Sequence, residues 1–407
     1  MSSNSGATHR GHGMDIAARP RPEGLDAAAL MAAAAHATGL SDYGDPSLQE
    51  RVAALCAAMN EAGLDAAARA RAESVYLWLL SDRLRFFDDH KRLKIGAERI
   101  ERPIIVTGEA RCGTTFAQML MGQDPSSRLL QFWEVMRPSP PPSLAGRQDP
   151  RKAQADADRR EILAQIPAWL ISHPYNDMLG RGPPECERTW AMDFRTTSPT
   201  GWWRVPLMPV ISGPQDPPAQ YRIHKMMLQQ LQYKAPKKRW ALKGLQHHHR
   251  LGTVLETYPD AIVVWIHRDP VQALASRVQL LTEIFEGIAG PIDRRAFARK
   301  TLAYGREIFA KLAESAVADD ARVHHVLYSE FTRDPIAQIQ KIYDRARLPF
   351  TDAYHEAMLS WMPGNRSDRY GKFLYSLDLL DTPVAALHEE FAPYRERYGV
   401  EIEKPKH

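Results

Sequence analysis

Apolar positions in the first part of the chain recur at helical spacing. Leu48, Val52, Leu55, Ala58 and Met59 share one face and Tyr76, Leu77, Leu80, Leu84 and Phe87 another, so Leu25 to about Leu93 reads as an all-helical lead-in. At Arg102 the character changes. ERPIIVTGEARCGTTFAQML is a short β-branched run, then a glycine-bearing turn, then a helix-like apolar period. Proline and serine mark a loop at Pro138 to Pro142, Lys152 to Trp169 is helical again, and Tyr175 to Gly213 is irregular and aromatic-rich. Tyr221 to Tyr233 predicts an amphipathic helix, and strands follow at Trp240 to Leu242, Ala261 to Ile266 and Val323 to Tyr328, each leading into helix-like sequence. Short apolar strands alternating with longer helices predict an α/β fold with a mainly parallel sheet flanked by helices. The expected organisation is an unstructured arm over residues 1–22, a helical extension over 23–100 and an α/β domain over 101–400.

Composition narrows this picture only a little. The 407 residues, 44% hydrophobic and 25% charged, are those of an ordinary globular protein. No run is long enough for a spanning helix and no charged lead precedes an apolar signal core, so no membrane span and a cytoplasmic location are expected. Cys56, Cys112 and Cys186 are odd in number and widely spaced, which excludes a disulfide framework and a paired-cysteine zinc site. The net charge of +4 comes without Lys/Arg runs, so a small anionic ligand is expected rather than a nucleic acid. His9 and His12, in the arm, are candidates for adventitious metal binding.

Gly108 and Gly113 flank four residues after a strand and before a helix, as in a P-loop, where backbone N–H groups converge on phosphate oxygens. The position that carries Lys in a nucleoside-triphosphate enzyme is Thr114, followed by Thr115, and Arg111 brings the positive charge inside the loop. The ligand is then phosphate-like and not MgATP. The plain alternative is a tight turn that happens to hold two glycines.

ARCGTTF resembles the 5′-phosphosulfate loop of the sulfotransferases, P-K-S-G-T-T-W or, in bacterial members, R-x-G-T-T. The resemblance puts Arg111 on the basic position and Gly113, Thr114 and Thr115 on G-T-T. Cys112 replaces a Ser and Phe116 a Trp. It implies a P-loop-type sheet and 3′-phosphoadenosine 5′-phosphosulfate as donor. In VVWIHRDPVQALAS, Arg268 ends a β-run, Asp269 and Pro270 form a cap and first-turn pair, and Ser276 lies eight residues beyond Arg268. That is the family's separation for the pair holding the 3′-phosphate. Otherwise Arg268 is a surface residue, or VVWIHRD is the magnesium strand of an ATPase.

RWALKGLQHHHRLGTVLETYPDA is similar to the bacterial pattern L-K-S-P-x-H-L, with Lys243 and His247 on its Lys and His and with Gly244 and Leu245 replacing Ser and Pro. The implied roles are His247 as general base, with His248 one residue away as the alternative, and Lys243 with Arg111 stabilising charge on the transferring group. The triplet His247 to His249 lacks the usual zinc spacings and sulfuryl transfer requires no metal, so none is expected. RYGKFLYSL resembles a family segment with Gly, a basic residue and an aromatic that returns over the nucleotide, which implies Lys372, with Arg369 second, as a further contact to the 3′-phosphate. FAPYRERYGV is also familiar from bacterial members, and the resemblance covers Pro103 to Val400. On the acceptor side Trp190, Phe194, Trp202 and Trp203 are candidates for an apolar pocket or for core, and Glu185 is placed to orient a small acceptor. Two rivals stand beside this reading: a small-molecule kinase with a Lys supplied from elsewhere, and a catalytically silent nucleotide-binding protein.

Overall fold

A computed structural model describes residues 24–146, 148–195, 216–236 and 238–404. Three helices come first, α1 (Ala27–Thr38), α2 (Leu48–Glu61) and α3 (Ala66–Arg92). Strand β1 (Ile104–Thr107) then leads through the glycine turn into α4 (Thr114–Met121), followed by β2 (Ser127–Arg128) and α5 (Phe132–Met136). Beyond lie α6 (Pro150–Gln165), α7 (Trp169–Ser172), α8 (Pro217–Gln232), β3 (Arg239–Lys243), α9 (Leu251–Thr257) and β4 (Ile262–His267). The chain continues with α10 (Pro270–Ala289), α11 (Arg294–Ala313), β5 (Val323–Leu327), α12 (Tyr328–Arg333), α13 (Pro335–Arg345), α14 (Asp352–Trp361), α15 (Val384–Glu390) and α16 (Ala392–Tyr398).

The strands form one parallel sheet in the order β2-β3-β1-β4-β5, with Ile105 opposite both Leu242 and Val263. Every residue of β1 and β4 is buried, because helices cover both faces; hence the near-continuous apolar runs. The period-two alternation survives inside them. Ile105, Leu242, Val263 and Trp265 join one core, while Ile104, Val106, Ala241 and Val264 join the other. Since β1 lies between β3 and β4, the loops leaving these strands open side by side at the carboxyl edge, where ligands of such sheets sit.

The helical lead-in has its own apolar cluster, and Ala191 and Phe194 plug into it from the irregular segment after Glu185. Arg83 donates to Asp193 Oδ1 at 2.9 Å in the same seam, so a buried ion pair reinforces the apolar contact. Differences from the sequence reading are local. The helix expected over Lys152 to Trp169 ends at Gln165, because Pro167 interrupts it before α7 starts. Two-residue β2 was invisible to periodicity. No helix among the described residues is long and apolar enough to cross a membrane.

Candidate active site

The turn after β1 is shaped by its glycines. Gly108 has φ 144°, and a Cβ there would lie 2.4 Å from the Ile266 carbonyl oxygen on β4. Gly113, with φ 80°, caps α4. Arg111 also sits in the left-handed region, at φ 73°, a conformation that costs about 1–3 kcal/mol for a residue with a Cβ and needs outside support. Its guanidinium supplies that support: Nε donates to Ser276 Oγ at 3.0 Å, Nη1 donates to the Ser172 carbonyl at 2.9 Å, and the Phe373 ring stacks 4.6 Å away. Burial, and then the nearby Arg268, depress its pKa to about 10.

These groups open into a cleft of about 940 Å³ lined by Arg111, Gly113, Thr114, Thr115, Arg268, Ser276 and Lys372, among others. Loop and β4 terminus therefore face one space. Arg268 is buried, with four of its five N–H donors engaged by its surroundings. Nε and Nη2 donate to the two carboxylate oxygens of Glu403 at 2.7 and 2.9 Å, Nη1 to the Arg111 carbonyl at 2.7 Å and Nη2 to Tyr375 at 3.0 Å. Burial is the largest influence and opposes its charge, but the Glu403 hydrogen bonds together with the charge interactions of Tyr328, Glu403 and Tyr375 outweigh it and raise its pKa above the usual guanidinium value. Asp269 caps α10 by accepting from Val271 N, and its second oxygen accepts from Glu403 N, so the C-terminal segment is tethered beside Arg268.

A smaller chamber of about 100 Å³ adjoins the loop and shares Thr115, His173, Tyr175 and Glu185 with the cleft. Lys243, at the end of β3, donates to Thr115 Oγ1 at 3.2 Å and to Glu185 Oε1 at 2.8 Å. It thus brings a cation to the loop that the P-loop position itself lacks. Burial, then Arg111, Lys243 and Arg159, hold the His173 imidazole well below its usual pKa. In the same chamber burial, then the neighbouring Glu185, raise the Glu187 carboxyl to about 7.

Several expected residues lie elsewhere. His247 lines neither cavity: it is fully buried, with Nδ1 hydrogen-bonded to the Tyr221 hydroxyl at 2.5 Å. The reason is local, for Gly244 leaves room where a Cβ would meet His247 Nε2 at 2.7 Å, and the ring turns in against it. His248 is likewise buried away from both cavities, against Thr107 and Glu109. The Cys112 thiol packs in the apolar cluster with Val106 and Ile266 instead of facing the cleft. Trp190 and Phe194 are core, edge-on to Tyr221 and Tyr76 respectively, so the structural alternative holds for both. Trp202 and Trp203 lie outside the described residues. Arg369 donates to Asp177 and does not line the cleft, whereas Lys372 does. Sequence reasoning missed His173, Tyr328, Phe373, Tyr375 and Glu403. Of these, Phe373 and Tyr375 carried a signal as the aromatics of RYGKFLYSL, and His173 as a titratable residue before a proline.

Fold and cleft together define an α/β scaffold in which a lysine-free glycine loop opens on a cleft at the carboxyl edge of a parallel sheet. Residues 103–352 match the Sulfotransferase family, and the chain belongs to it. It is similar to sulfotransferase STF9 from Mycobacterium avium, at TM-score 0.79 and 27% identity, over 93% of this chain and 98% of that one. Sulfotransferase STF1 from Mycobacterium tuberculosis H37Rv is also similar, at TM-score 0.71 and 28% identity, over 91% of this chain and 100% of that one. No curated protein matches the chain. Family and fold support sulfuryl transfer to a small-molecule acceptor.

Proposed function

We propose that the chain transfers the sulfuryl group of 3′-phosphoadenosine 5′-phosphosulfate to a hydroxyl or amine of a small acceptor by in-line displacement at sulfur. The observation that carries this reading is the cleft shared by the loop residues Arg111, Gly113, Thr114 and Thr115 and by Arg268, Ser276 and Lys372. Loop amides and threonine hydroxyls receive the 5′-phosphosulfate, while Arg268, Ser276 and Lys372 receive the 3′-phosphate. The acceptor enters beside Trp169, Ile171 and Leu280, which give that end of the cleft an apolar wall.

Glu185 replaces His247 as the proton acceptor in this proposal, since its carboxylate faces both cavities and is held by Lys243. The acceptor oxygen forms its bond to sulfur as the bond from sulfur to the bridging phosphate oxygen breaks, and the acceptor proton goes to Glu185. Lys243 and Arg111 offset the charge that grows on the leaving phosphate. Calorimetry with 3′-phosphoadenosine 5′-phosphate, paired with mass spectrometry for sulfated products of a metabolite extract, tests the reading; no binding, or phosphorylation with ATP and magnesium instead, overturns it. Glu185→Gln should lower turnover ~10²-fold or more while nucleotide affinity persists. Near-normal turnover in that variant removes Glu185 from the role.

A further inference from the structure

We infer that Glu109, His248 and His249 form a metal site for a zinc-class divalent ion, binding the phosphate loop to the loop after β3. The His triplet on its own lacks metal spacing. The missing ligand comes from 139 residues away, from the second residue of the phosphate loop. Glu109 Oε1 lies 3.2 Å from His248 Nε2 and 2.9 Å from His249 Nε2, and the three ligand atoms are all within 4.8 Å of one another. Tetrahedral zinc, with bonds of about 2.0–2.1 Å, sets its donors roughly 3.4 Å apart, close to this spacing.

Hydrogen-bond accounting points to a positive centre between His248 and Glu109. The Thr107 hydroxyl donates its single proton to the Gly244 carbonyl at 2.8 Å and accepts from His248 N at 3.0 Å. Its 3.0 Å contact with His248 Nδ1 therefore requires the proton on Nδ1. In the neutral ring the Nε2 lone pair then points at a carboxylate oxygen, a contact that repels unless a positive centre lies between them. Arg277 does not supply that centre, because it donates to the other oxygen, Oε2, at 3.0 Å. What remains is the usual outer arrangement of a metal site: Thr107 fixes the tautomer of one ligand and Arg277 orients another. Two imidazoles and one carboxylate oxygen suit zinc and its transition-metal neighbours and not magnesium or calcium. The His249 side chain is 13% exposed and gives an entry path. None of the three lines the cleft, so the ion would brace the turn carrying Arg111 without touching substrate.

The test uses the full chain after chelator treatment, with Zn²⁺ as titrant in calorimetry and Co²⁺ as spectroscopic probe. His9→Ala/His12→Ala, at positions outside the described residues, serves as the control for binding by those two histidines. The expected result is one Zn²⁺ per chain in wild type and control, a raised Tm, tetrahedral Co²⁺ bands, and binding at least ~10-fold weaker in Glu109→Gln and His249→Ala. Uptake that disappears in the control, or persists in both Glu109→Gln and His249→Ala, overturns the site. If those variants do not fold, ¹⁵N NMR of wild type decides. A His248 Nε2 resonance that moves to a metal-bound position on adding Zn²⁺ supports the site, and one that stays at a protonated position overturns it in favour of a proton shared with Glu109.

Discussion

Removing the Glu403 carboxylate should tighten nucleotide binding, although Glu403 is the partner that holds Arg268 in place. A guanidinium has five N–H donors. In Arg268 four are committed, two to Glu403, one to the Arg111 carbonyl and one to Tyr375. One N–H is left over, so a phosphate that takes a two-point contact on Arg268 must displace an acceptor, and Glu403 is the one that carries like charge and lies on a chain segment outside the sheet. Each charge-assisted hydrogen bond has a net worth of about 1.5–3 kcal/mol. The Glu403 side chain is 17% exposed and regains water on release, so we take the lower end for the pair, about 1.5 kcal/mol, or roughly tenfold in affinity. Calorimetry of 3′-phosphoadenosine 5′-phosphate should give a Kd about tenfold lower for Glu403→Ala than for wild type. Arg268→Ala should weaken binding, and in the double variant the gain from Glu403→Ala should vanish, because the two changes share one contact. Unchanged or weaker binding in Glu403→Ala would refute the competition and make Glu403 a support for the binding conformation of Arg268.

Other consequences can be checked separately. Cys112→Ser places a hydroxyl in an apolar cluster and should cost about 1–3 kcal/mol in urea unfolding while leaving nucleotide affinity unchanged; tighter binding would show that the serine reaches the donor. His224 is buried, and burial lowers its pKa to about 3, so its neutral form stabilises the fold near neutrality and that contribution is lost as pH falls from about 6.5 toward 3. Comparing wild type with His224→Gln by urea titration, the stability difference should shrink on acidification by up to ~1.4 kcal/mol per pH unit, and a pH-independent difference would contradict the assignment. Initial-rate patterns should show the nucleotide binding before the acceptor; random order would contradict the partner exchange described below.

The sheet was legible because β1 and β4 are buried on both faces and so read as apolar runs bounded by glycine, proline and charge. The phosphate loop was legible for a related reason: its glycines are required by backbone contact and left-handed φ, which sequence displays directly. Side-chain direction in irregular segments was not. A tryptophan at position 190 fills core or lines a pocket according to how a non-repeating stretch turns, and no period encodes that turn. The same limit hid the direction of His247. Gly244 reads as a loop residue, yet the room it leaves turns His247 inward, and the groups that do face the chamber, His173 and Glu185, come from a segment with no regular spacing. Glu403 stands 135 residues from Arg268, and nothing in either local sequence announces the pair.

Charge compensation connects these observations. Arg111, Arg268 and Lys243 line cavities where water screens poorly, so an unanswered cation there would be costly. Each is answered by the chain itself: Arg111 by Ser172 and Ser276, Arg268 by Glu403, and Lys243 by Glu185. On the proposed function, a nucleotide carrying a phosphosulfate and a 3′-phosphate brings its own acceptors to the same cations, and the pairs exchange partners. The exchange at Arg268 costs affinity. The exchange at Lys243 does something more useful, because it loosens the carboxylate that must take the acceptor proton, and the incoming negative charge also offsets the cations that depress His173. A base restrained until the donor arrives explains why the donor should bind first, and why the lysine missing from the phosphate loop is supplied from β3, within reach of both the loop and Glu185.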